Sequence, residues 1–77
     1  MKDTRDTLAS FTTEELDRLA ATLYRQAARG FAEARIAARE HGRHAEIVRM
    51  LTASAASAQD AWRDVQQVAR DRRATTR

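Results

Sequence analysis

The sequence predicts an all-α protein: an antiparallel, coiled-coil-like hairpin of two helices that dimerises into a four-helix bundle. Three observations carry this expectation. Seventeen alanines, no proline, no asparagine and only two glycines in 77 residues make a helix-forming composition. Two long apolar stripes follow at helical spacing, and a glycine separates them. Cysteine is absent, so a chain this short lacks disulfides to supplement a small core, and association is the remaining common supplement.

Residues 1–11 read as an N-terminal arm, in which Leu8 and Ala9 are the main apolar groups before Phe11. They either form a short helical turn that caps the open end of the bundle or stay loose. The first helix is expected over residues 12–41. Thr12 is an N-cap, Glu15 three residues on completes a capping box, and Phe11 and Leu16 are spaced for a hydrophobic staple. Glu14, Glu15 and Asp17 suit the positive end of the helix dipole. Leu16, Leu19, Ala20, Leu23, Ala27, Phe31, Ala34 and Ala38 then fall on one stripe, with Gly30 and Ala37 beside them. Gly30 is read as a place of close helix approach in preference to a kink, since glycine costs about 1 kcal/mol relative to alanine in a helix.

His41-Gly42 supplies the stop, with a turn expected at 42–43. The second helix is expected over residues 44–72. Ile47, Leu51, Ser54, Ala58, Ala61, Val65, Val68 and Arg72 alternate spacings of four and three, which is a heptad seam. Met50, Trp62 and Ala69 widen it. Continuing the first stripe across Gly42 would predict position 48, not 47, and this phase slip reads as a fold-back. Folding back sets Leu16 and Leu19 near Val65 to Ala69, Leu23 near Trp62, and Gly30 near Ser54, Ala55 and Ala58. Two helices alone leave one side of each stripe wet, and a two-fold copy is the commonest remedy. Residues 73–77 read as a basic tail.

The formal net charge is +3, and the positive excess falls on the first helix and the tail. Thirteen of the fourteen basic residues are arginine, a bias that together with the alanines reads as GC-rich bacterial coding. Residues 1–6 carry no apolar run, so no signal peptide is expected, and no stretch reaches the roughly 18 apolar residues of a membrane span. The expectation is a cytoplasmic protein without membrane contact.

No catalytic constellation stands out: the carboxylates fall mainly on outward positions, and the hydroxyls lack an adjacent base. No cofactor is expected. His41 and His44, with Glu40, are the one set of candidate metal ligands, but they straddle a helix end and suit a capping role better. Arg18, Arg25, Arg29, Arg39 and Arg43 lie on the outward side of the first helix, where they could contact nucleic acid. Glu14 and Glu33 stand four residues from Arg18 and Arg29, so a solvated, salt-bridged face is the plainer reading. Ile36, Tyr24 and Val48 could widen an exposed apolar patch that marks a partner site.

The residues expected to form the core or the dimer contact are thus Leu16, Leu19, Leu23, Ala27, Phe31, Ile47, Leu51, Ala58, Trp62, Val65 and Val68. The implied shape resembles the plasmid copy-number regulators of the repressor-of-primer type, helical hairpins that dimerise into four-helix bundles and engage RNA. The resemblance is one of architecture, and architecture does not carry function. The secreted hairpins with a Trp-x-Gly turn are excluded, because Trp62 is followed by Arg63-Asp64. The functional expectation is a non-enzymatic interaction adaptor or regulatory accessory working as a homodimer, with a protein partner. Nucleic-acid binding through the arginines is the alternative.

Overall fold

The computed structural model describes residues 7–75. Nearly all of them lie in two helices, α1 (Thr13–His41) and α2 (Glu46–Thr75), packed antiparallel. The start of α1 is fixed locally. Thr12 is extended (φ −72°, ψ 162°), its hydroxyl accepts from the Glu15 N–H at 3.1 Å, and its own N–H donates to Glu15 Oε1 at 2.9 Å. Both backbone donors are satisfied reciprocally.

The turn between the helices begins at Gly42, whose φ of +91° lies where side chains are disfavoured. Its N–H donates to Ala38 O at 2.9 Å, and the Ala45 N–H then donates to Gly42 O at 3.2 Å. The Ala45 carbonyl accepts from both Val48 and Arg49, which opens α2. The connection is therefore longer than residues 42–43, because Arg43 and His44 turn outside either helix. At its far end α2 continues past the expected 72 to Thr75. Arg72 donates to the carbonyls of Phe11 and Ala9, and Arg73 pairs with Asp17 at 3.0 Å, so these arginines fasten the last turn to the start of α1.

The core is concentrated at the open end of the hairpin. Leu8, Leu16, Ala20, Val65 and Ala69 are buried together, with Phe11, Leu19, Leu23, Trp62 and Val68 packed against them. Residues 7–11 turn over this end, held by Phe11 N–H to Leu8 O at 3.1 Å and Ser10 Oγ to Thr7 O at 3.0 Å. Residues 1–6 of the expected arm, and 76–77 of the tail, lie outside the described residues. Toward the turn, the buried residues shrink to Ala27, Ala34, Ala37, Val48 and Ala55.

The line of contact on α2 differs from the expected seam. Leu51, Ala58, Val65 and Arg72 belong to both, but Val48, Ala55, Trp62 and Ala69 take the inner side expected for Ile47, Ser54, Ala61 and Val68, of which only Val68 still packs at the edge of the core. Val48, expected at an exposed edge, is buried, while Ile47 is 48% exposed. The cause is the middle of the hairpin. A Cβ built on Gly30 would stand 2.8 Å from the Ala55 Cβ, so α2 presents its small Ala55 to the bare backbone. Rotation by about half a residue step carries the alternate row outward.

The molecule measures 50 × 26 × 15 Å. A helix with its side chains is about 10–12 Å across, so the hairpin is two helices wide and one helix thick. Stable domains usually stack two layers. Here, among the described residues, no third element covers either broad face.

Candidate functional site

The two broad flanks are chemically different. One is small and apolar: Leu23, Gln26 and Gly30 of α1 face Ser54, Ser57, Ala58 and Ala61 of α2 along a shallow trough. No charged side chain lines it. Seven-residue spacing continues its α2 border to Ile47 on one side and Val68 on the other. Met50 stands on the same side and is 65% exposed. This is the row displaced from the inner seam; Ile47 and Ser54 are exposed, and Val68 touches only the edge of the core.

The opposite flank is aromatic and basic. A hollow of about 200 Å³ is lined by Tyr24, Ala27, Ala28, Phe31, Gln59 and Trp62. Tyr24 and Trp62 meet with ring centroids 5.7 Å apart and planes tilted by 56°, within the roughly 4.5–7 Å separation typical of interacting aromatic pairs. Two further hollows adjoin Trp62, one reaching Arg25 and Gln66, the other Arg63, Gln66, Gln67 and Arg70. No carboxylate lines any of the three.

The expected core and dimer residues divide accordingly. Leu16, Ala27 and Val65 are buried; Leu19, Leu23, Phe31, Leu51, Ala58, Trp62 and Val68 are half-buried; Ile47 is exposed. Among the outward arginines of α1, Arg18 stands 3.8 Å from Glu14 and Arg29 3.0 Å from Glu33. Arg25 alone of that set reaches the aromatic flank, while Arg39 and Arg43 lie exposed toward the turn. Ile36 is exposed on the outer side of α1.

His41 and His44 are exposed at the turn, and His41 Nε2 lies 3.7 Å from Glu40 Oε2. Among the described residues no group of three or more His, Asp or Glu is placed to hold a metal ion. Nor is any described helix long and apolar enough to cross a membrane. Glu15 has its carboxyl held below the usual range, first by the Thr12 backbone N–H and then by the Thr12 hydroxyl. That shift belongs to the helix cap.

Sequence reading missed Gln59, Arg63, Gln66 and Arg70 as members of one surface. A signal was present: Gln59 and Gln66 repeat at seven residues across Trp62, and Arg63 and Arg70 repeat at the same interval just after it.

Comparison of the chain with protein-family models, with curated proteins and with solved structures returned no match.

Proposed function

We propose that the protein is a non-enzymatic interaction protein, an adaptor or regulatory accessory, that works as a homodimeric four-helix bundle. The observation that carries this reading is the second seam of α2. Its outer row of Ile47, Ser54, Ala61 and Val68 follows heptad spacing as faithfully as the inner row does, yet Ile47 and Ser54 are exposed and Ala61 and Val68 only half-buried. Helices with two such rows serve two neighbours.

Surface area supports the same conclusion. The accessible surface is 6100 Å², whereas a globular chain of 8.7 kDa exposes about 4,700 Å². The excess exceeds the roughly 800 Å² that each partner contributes to a standard stable interface. Two hairpins laid trough to trough would form the missing second layer, with Leu23, Met50 and Leu51 interleaved over the small Gly30, Ser54 and Ala58.

Nucleic-acid binding by the outward arginines of α1 is the weaker reading. Glu14 and Glu33 neutralise Arg18 and Arg29, and exposed pairs of this kind are ordinary solvated surface.

Sedimentation equilibrium tests the proposal. The wild type at micromolar concentration should show twice the chain mass, and Ser54→Arg, which sits on the outer row away from the inner contact line, should shift it toward the single chain. A folded wild-type monomer would refute the dimer.

A further inference from the structure

The aromatic flank is a separate surface, and it remains accessible when the trough on the other side is covered. We propose that it binds single-stranded nucleic acid, with Tyr24 and Trp62 stacking on bases and Arg25, Arg63 and Arg70 holding phosphates. This inference does not rest on dimerisation.

The lining chemistry is what such a strand requires. Single strands are held by aromatic side chains against unstacked bases and by a cationic track along the backbone. Tyr24 is 59% exposed, so its ring is available to a base, and its tilt against Trp62 makes a notch. The 200 Å³ hollow beside that notch is lined by Phe31 as well. Arg63 and Arg70 stand two helical turns apart, about 10 Å along α2, and Arg25 of α1 lines the adjoining hollow, which shares Trp62 and Gln66 with theirs. Among the described residues these three arginines make no ion pair or hydrogen bond. Their guanidinium forks suit phosphate oxygens and also stack on bases.

The glutamines decide against an acidic helix as the occupant. An amphipathic helix beds its apolar face in a continuous apolar groove. Here Gln59 and Gln66 interrupt the aromatic surface with amides that both donate and accept, as base edges do. Duplex nucleic acid fits less well, because its bases are stacked inside and cannot reach the rings.

The test is a titration of the full chain with a mixed-sequence RNA of about 20 nucleotides, the DNA single strand of the same sequence, their duplex counterpart, and polyglutamate, from about 50 to 200 mM salt. Trp62 is the sole tryptophan, so its emission reports the site directly. Single strands should quench Trp62 and bind more tightly than duplex. Three phosphate contacts should make affinity fall about twentyfold across that salt range. The Arg63→Ala, Arg70→Ala double variant should flatten the salt slope by about 1.4, and Tyr24→Ala should weaken binding about fivefold or more. All three positions are exposed, so circular dichroism should show the fold retained. A preference for RNA or for DNA identifies the natural source of the strand. No single-strand binding at low salt, polyglutamate binding with equal affinity and quenching, or an unchanged slope in the arginine variant would each overturn the proposal.

Discussion

Gly30 and Gly42 are both required, for opposite reasons. At Gly42 an added Cβ would meet nothing within 4 Å, but the backbone has φ +91°, and strain alone penalises a side chain there. At Gly30 the backbone is ordinary helix, and the obstacle is the Ala55 Cβ at 2.8 Å. Neither atom is the end of a flexible side chain, so relief would require the helices to part. Gly30→Ala gains about 1 kcal/mol of helix propensity and incurs an overpacking cost of about 1–3 kcal/mol. The expected result is an unfolding free energy in urea lower than wild type by up to about 2 kcal/mol. In an Ala55→Gly background the same substitution should become stabilising. If Gly30→Ala stabilises the otherwise native protein, the close approach is not a constraint. Both roles were legible from sequence, since a glycine on an apolar stripe and a glycine after a histidine each have few other uses.

Each helix is specified by different information. The start of α1 is written in four residues, Thr12 to Glu15, and the structure reproduces the reciprocal hydrogen bonds that they encode. Thr12→Ala should cost about 1 kcal/mol. Because the Glu15 carboxyl is held below its ordinary value of 4.5, its contribution is present above that value and lost as pH falls through the lower folded-state value. Stability measured by thermal melts should therefore decline below about pH 4.5 in the wild type. Glu15→Gln, which keeps a hydrogen-bond acceptor but cannot titrate, should remove that part of the decline. Identical pH profiles would show that the cap carboxylate makes no contribution. α2 was less legible. Two rows of apolar residues share Leu51, Ala58 and Val65, and spacing alone cannot say which row faces the partner helix within the chain. The extrapolated phase of the first stripe pointed to position 48, the residue that is in fact buried. The slip at Gly42 was therefore no evidence of folding back; the glycine's backbone conformation makes the turn.

At the scale of the molecule, the helical architecture follows from composition and two stripes, but the division into unlike flanks does not. Which residues share a flank depends on the rotation of α2 about its axis, and that rotation was settled by one contact, Gly30 against Ala55. Gln59, Arg63, Gln66 and Arg70 thus became neighbours of Tyr24 for a reason remote from their own chemistry. The core has a further consequence. Its largest buried group, Leu16, and the side chains around it sit at the end opposite the turn, where Arg72 and Arg73 also fasten α2 to the start of α1. The covalent link at Gly42–Ala45 is thus far from what holds the pair. A protease site placed at Arg43-His44 and cleaved should leave two fragments that co-elute and keep their helicity at tens of micromolar, with melting that now depends on concentration, since a short tether supplies an effective millimolar concentration. Fragments that drift apart and unravel would show the loop to be a necessary stitch. If they stay together, the protein is in effect two polypeptides that happen to be translated as one.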